Sequence, residues 1–180
     1  CINNQKSVEI DSINLNDTVY ASIAGVGFDA LIAREFAKTQ TRGFQPYLKL
    51  VLQHYPHYQQ QNYTLVIDGK EITTQALFIS FANSKQFGFN TEIAPNAELN
   101  DGLIDIVIVK KPPLPLLFWT AQLLFFRKFD KSIYVETYQA KHVVVKNMDK
   151  MSINLDGEYV ELNGDLDFSI VPKSLKVIIP

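Results

Sequence analysis

Six apolar runs of four or five residues follow one another between Ile133 and Ile179, separated only by short polar turns. They cover Ile133 to Thr137, His142 to Lys146, Met151 to Leu155, Tyr159 to Leu162, Asp167 to Val171 and Leu175 to Ile179. Runs this short, at this spacing, predict strands of a sandwich or partly closed barrel rather than a helical or parallel α/β fold. The N-terminal half adds strands of the same kind. Val8 to Leu15 alternates apolar and polar residues, with an irregularity expected near Asp11-Ser12. Val19 to Ile23, Tyr63 to Ile67, Glu71 to Thr74 and the buried run Ala76 to Ala82 follow. Asp68-Gly69 is a tight hairpin signal between two of them.

Three helices interrupt the strands. Phe28, Leu31, Ile32, Glu35 and Phe36 are spaced for a helix ending near Lys38, and Thr41-Arg42-Gly43 breaks it. Pro46 suits the first turn of a second helix, which runs to about His54. Leu116 to Lys128 reads as a third, apolar on nearly every face and followed by basic residues. Such a helix is either core or meets something apolar outside the protein, and an aromatic face with a basic end suits a membrane surface. No low-complexity linker or repeat divides the chain, so residues 1–180 are read as one domain. The fold class expected is mainly β: a two-layer antiparallel β-sandwich decorated by about three helices.

Composition excludes several functions. The apolar fraction is 47% and the formal charge is −2, so a packed core is expected and a basic nucleic-acid face is not. The single cysteine, Cys1, excludes an intrachain disulfide and a multi-cysteine metal site, and fits a cytoplasmic setting. The apolar run at Leu114 to Phe126 is too short for a membrane span. A chain beginning at Cys1 is read as a fragment of a longer protein.

Two acidic glycine turns carry what chemistry the sequence offers. Ile93 to Val109 passes from turn residues through Asn100-Asp101-Gly102 into an apolar strand. Asp101, with Glu98 before it and Asp105 after it, could hold a hard cation through oxygen ligands, although the plainer reading is an Asx turn. Leu155-Asp156-Gly157-Glu158 is a second such turn. Glu158 on a rigid strand end could act as a general base toward a hydroxyl, although the plainer reading is a type I′ hairpin. The two turns could face one another across a cleft. Gly25-Val26-Gly27 is read as a strand-to-helix turn, because it lacks the third glycine of a dinucleotide loop and the Gly-Lys-Ser/Thr of a P-loop. His54, His57 and His142 do not form a ligand cluster by spacing.

The ordered set Gly25-Val26-Gly27-Phe28-Asp29-Ala30, Asn83-Ser84, Ile93-Ala94-Pro95-Asn96-Ala97, Asp101-Gly102-Leu103-Ile104-Asp105, Asp156-Gly157-Glu158 and Ile170-Val171-Pro172 resembles the second domain of the soluble diacylglycerol kinase and sphingosine kinase family. The likeness is closest to its bacterial lipid kinases. It implies the C-terminal sandwich of a two-domain NAD kinase/diacylglycerol kinase-like protein. The N-terminal α/β domain, with its ATP-binding Gly-Gly-Asp-Gly-Thr loop, would lie outside this chain. It further implies Glu158 as the catalytic base, and a Mg²⁺ site made by the Asp101 side chain with the carbonyls of Glu98 and Leu103. The implied activity is ATP- and Mg²⁺-dependent phosphorylation of a diacylglycerol-like lipid hydroxyl by the whole protein, with the fragment alone inactive. The alternative is a non-catalytic lipid-binding module. Implied partners are the lipid, ATP and a transient membrane surface, with a dimer admitted and nucleic acid excluded. The implied location is cytoplasmic and peripheral to a membrane. The chain departs from the family in having few glycines in Asn83 to Asn90, and Asn100-Asp101-Gly102 in place of the commoner Asp-Asp-Gly.

Overall fold

The computed structural model describes residues 6–147 and 149–178; Cys1 and Ile179 lie outside them. The chain order begins β1 (Ser7–Leu15), β2 (Thr18–Tyr20), β3 (Ile23–Gly27), α1 (Phe28–Ala37), α2 (Phe44–His54), β4 (Gln61–Ile67), β5 (Lys70–Ala76) and β6 (Phe78–Ala82). It continues with β7 (Gln86–Gly88), β8 (Thr91–Glu92), β9 (Ile104–Val109), α3 (Leu114–Phe125), β10 (Val135–Ala140) and β11 (His142–Lys146). β12 (Lys150–Leu155), β13 (Glu158–Asn163) and β14 (Leu166–Ile178) complete it.

Two six-stranded antiparallel sheets face one another, ordered β2-β1-β14-β11-β4-β5 and β10-β9-β6-β3-β12-β13. The expected sandwich is therefore the fold. Period-two alternation sends Ile13, Leu15, Leu65, Val143, Val145 and Phe168 inward from the first sheet. Val26, Ile79, Phe81, Ile104, Ile106, Ile108 and Ile153 meet them from the second. Phe81 stacks on Phe168 across the gap, with ring centroids 4.0 Å apart. β9 is buried along its whole length because both its faces are covered. Ile104, Ile106 and Ile108 face the sandwich, while Val107 and Val109 join Ile93, Ala94, Ala97 and Phe129 in a second cluster on the outer face. A third cluster, Phe28, Ile32, Tyr55 and Leu77, lies under α1 and α2.

The structure corrects the sequence reading at four places. The last two expected strands are one strand, β14, which passes through Pro172 by a bulge. Ile10 pairs with Leu175 and Ser12 with Val171, so the irregularity expected near Asp11-Ser12 and Pro172 belong to one register shift. Lys173 takes a φ of 52° there, and its N–H donates to Asp11 Oδ1. Ala76 to Ala82 is not one strand: β5 ends at Ala76 and β6 starts at Phe78. The supposed loop Asn83–Thr91 contains the β7–β8 hairpin, turned by Phe89 and Asn90 with φ of 49° and 61°. Finally, α3 stops at Phe125 rather than Lys128, since Arg127 adopts a left-handed φ of 57°.

Candidate functional site

The Gly-Val-Gly segment is the C-terminal part of β3 rather than a loop, and α1 starts directly after it. Gly25 pairs with Ser80 on one side and Asn154 on the other. A Cβ on Gly25 would stand 2.0 Å from Asp29 Oδ2, so only glycine lets the first turn of α1 lie this close to the sheet. Asp29 is buried, and its Oδ2 accepts a hydrogen bond from Asn154 Nδ2 at 2.9 Å. Burial pushes its carboxyl up to about 6, against the smaller opposing pull of the Asn154 amide. Asn154 Oδ1 accepts from the N–H of Gly157 at 3.0 Å. One amide thus ties Asp29 to the hairpin that carries Glu158.

That hairpin is held from outside as well. Asp156 and Gly157 have φ of 47° and 93°, as a type I′ turn requires. The Asp156 carboxylate accepts the N–H groups of Ala21, Ser22 and Ile23 at 3.0, 3.0 and 2.8 Å. Glu158 opens β13 opposite Leu155, is exposed, and has no hydrogen-bond or ion-pair partner among the described residues. It is a free carboxylate on a fixed backbone.

The second turn is built differently. Asp101 Oδ1 accepts the N–H of Leu103 at 3.0 Å, so Asp101 does form the Asx turn, and its carboxylate is exposed. The loop is anchored by buried Asp11, whose N–H donates to Leu99 O and whose Oδ2 accepts from Gly102 N at 2.8 Å. No hydrogen bond joins the two acidic turns directly among the described residues. Asn83 bridges them, donating from Nδ2 to Asp11 O and to Ala21 O, both at 2.9 Å. Its own Oδ1 is buried without a partner. No group of three or more His, Cys, Asp or Glu among the described residues is placed to hold a metal. A cation at Asp101 would therefore have one carboxylate, backbone carbonyls and water, a donor set that suits the water-rich coordination of Mg²⁺.

An apolar cavity of about 350 Å³ lies among α1, α2, α3 and the β7–β8 hairpin. Its walls are aromatic and aliphatic, with Phe28, Phe36, Tyr47, Val51, Phe78 and Leu124 among them. Polar groups gather at one end, where Asp29, Asn154 and Gly157 line it. Burial, and then the negative charge of Asp29, raises the Tyr47 phenol and keeps it a neutral donor. The other end opens between Phe44, Leu48, Phe89 and Phe125, all exposed as well as lining the cavity. An apolar cavity with few convergent polar groups is the usual form of a small-molecule site.

Residues 22–179 match the YegS C-terminal NAD kinase beta sandwich-like domain. The chain belongs to this family. It is similar to the diacylglycerol kinase of Bacillus subtilis (strain 168), 26% identical over 153 residues, covering 83% of this chain and 50% of that protein. It is similar also to the diacylglycerol kinase of Mycobacterium tuberculosis (strain ATCC 25618 / H37Rv), 26% identical over 163 residues, covering 89% and 52%. The crystal structure of a diacylglycerol kinase from Bacillus anthracis str. Sterne superposes with a TM-score of 0.66 at 12% identity, covering 99% of this chain and 56% of that one. The chain spans about half the length of the curated relatives it matches.

Within the YegS-like sandwich, sequence reasoning named Glu158 and Asp101 and left Asp29 without a role. The available signal was a glycine two residues inside β3 with an aspartate on the first turn after it. A short carboxylate there is either a helix cap or buried, and only the fold tells which. α3 settles its own ambiguity: Thr120 is its one buried residue, so it is not a core helix.

Proposed function

We propose that this chain supplies the lipid site and the general base of an ATP- and Mg²⁺-dependent kinase acting on a diacylglycerol-like hydroxyl. The observation that carries the proposal is the apolar cavity whose polar end is the hairpin bearing Glu158. Acyl chains fill the cavity, and the hydroxyl emerges beside Asp29, Asn154 and Glu158. The alcohol oxygen bonds to the γ-phosphorus of ATP, the bond from that phosphorus to the β,γ-bridging oxygen breaks, and ADP leaves. The alcohol proton passes to the Glu158 carboxylate as the new bond forms. A carboxylate of ordinary basicity cannot ionise an alcohol beforehand, so its help comes late in the step. Asp29 orients the hydroxyl: when protonated it donates, and when ionised it accepts. Mg²⁺, held by Asp101 with the carbonyls of Glu98 and Leu103, would neutralise negative charge and stiffen the turn. ATP would be held mainly by a part of the parent protein outside this chain, and the enzyme would work from the cytoplasm at a membrane.

The test is the full-length protein with γ-labelled ATP and a panel of diacylglycerol, sphingosine, phosphatidylglycerol and undecaprenol. Label transferred to one lipid class, and lost without Mg²⁺, is the expected result. Lipid binding with no transfer would make the sandwich a binding module instead.

A further inference from the structure

A second pocket, polar where the cavity is apolar, lies on the outer face of the sheet at its β9–β10 edge. Its volume is about 210 Å³. Asp105 on β9 pairs with Gln139 on the edge strand β10, and Val107 pairs with Thr137. Period-two alternation puts these four side chains on the face that carries Val109 and Val135. The loop through Pro95 and Asn96 completes the lining, together with Asp130 in the 3₁₀ turn Phe129–Lys131. Phe129 lines the apolar cavity and Asp130 lines this pocket, so the two are neighbours that share no lining residue.

The pocket holds more acceptors than cations. Asp105 is 7% exposed, and the side chain of Asp130 is 9% exposed. Each carboxylate has one oxygen engaged. Asp105 Oδ1 accepts from Gln139 Nε2 at 3.2 Å, and Asp130 Oδ2 meets Lys131 Nζ at 2.7 Å and Asn96 Nδ2 at 3.5 Å. Asp105 Oδ2, Asp130 Oδ1 and Gln139 Oε1 have no hydrogen-bond partner among the described residues. No Lys, Arg or His among those residues pairs with Asp105. Two buried carboxylates thus face one ammonium, that of Lys131, whose side chain is 74% exposed. A carboxylate removed from water ordinarily has a cation beside it, because nothing else replaces the lost solvation. Asp105 has none.

We propose that this pocket binds a small primary amine, with Asp105 as its counter-ion and Asp130 and Gln139 supplying further acceptors. One negative charge is uncompensated, which suits a monocation. A divalent metal wants more carboxylates, and no group of three or more His, Cys, Asp or Glu among the described residues is placed to hold one. The volume exceeds that of an ion, and Pro95 and Val107 give the body of an amine an apolar surface to lie against. Lys131 already shows an ammonium seated on Asp130, and an exposed pair of this kind is weak enough for a ligand to replace. The site stands apart from the lipid cavity and from Glu158, and it is independent of the kinase reading.

The chain, labelled with ¹⁵N, is titrated with n-propylamine, with the uncharged isostere n-propanol, and with Mg²⁺ and Ca²⁺. The expected result is a saturable shift of the Gln139 side-chain amide and of the Thr137 N–H with propylamine, and at least tenfold weaker binding of propanol. Asp105→Asn keeps the size of the side chain and its contact with Gln139. It should lower amine affinity at least tenfold while the melt still shows a folded chain, because the charge and a charge-assisted hydrogen bond are lost. Asp130→Asn, on a separate turn, should lower it severalfold and supplies the test where the first variant does not fold. Unshifted Gln139 and Thr137 resonances at saturating amine would overturn the proposal. So would equal binding of propanol, unchanged affinity in both variants, or a saturable shift at Gln139 with Mg²⁺ or Ca²⁺ that the amine does not displace.

Discussion

The two ends of the cavity are made of different material. At the hairpin end, Asp156 gathers three N–H groups, Asn154 is fixed at both ends of its amide, and Gly25 admits Asp29 with no room to spare. At the open end, side chains meet ring edge to ring edge and then give way to solvent. The first end is specified by hydrogen bonds of fixed direction, the second by apolar area without direction. The proposed lipid site, which would have to place one oxygen and tolerate many chain lengths, suits this division. Chemistry is served by pre-organised groups, and fatty chains by a wall that can adjust.

Breaking the hairpin end should therefore have large effects on stability. Asp156→Ala leaves three N–H groups without their charged acceptor and places alanine at a positive φ. A loss of about 2–4 kcal/mol is expected, discounted for the partial exposure of these donors, and urea unfolding measures it. Asp156→Asn, which tolerates the backbone and keeps one acceptor, should lose about 1 kcal/mol. Gly25→Ala drives a methyl group into Asp29 and is expected to lose about 1–3 kcal/mol, with hydrogen exchange at Gly157 accelerated as Asn154 is displaced.

Asp29 sharpens the comparison through pH. Its buried carboxyl titrates at about 6 in the folded chain and near the ordinary aspartate value in the unfolded one. Between these values the folded state binds more protons, so this group makes stability fall as pH rises from about 4 to about 6. Asp105, buried beside Gln139, is likewise pushed up to about 6 by burial and adds a slope of the same sign. Asp29→Asn should remove about half of the decline seen in melts across that range and leave the Asp105 part. The open end should respond least. Phe118→Ser with Trp119→Ser should change stability by less than about 0.5 kcal/mol per site, since both rings already face water.

The same division explains what could be read from the sequence. Strands and helices were legible because alternation and helical spacing are local; His142–Lys146 begins and ends where the pattern puts it. Three of the four errors fell where a residue with positive φ intervenes: Lys173 continues a strand past Pro172, Arg127 ends a helix early, and Phe89-Asn90 turns a loop into a hairpin. The Asp156 turn was visible as a dipeptide, but its three N–H partners lie about 135 residues away and leave no local mark. Asp29 stayed silent for a similar reason, because its partner Asn154 arrives from β12, 125 residues away. The exposed face of α3 was legible only as an anomaly, an apolar helix with a single buried residue.

The central claim is that Glu158 is a positioned base rather than a hairpin residue. In the full-length protein, Glu158→Gln keeps size and hydrogen-bonding reach while removing the proton acceptor, and it disturbs no partner among the described residues. Steady-state kinetics with the lipid identified by the panel should show kcat lowered about 10²–10⁴-fold, KM for ATP little changed and the melting temperature unmoved. A Glu158→Gln enzyme within a few-fold of the wild type would contradict the account.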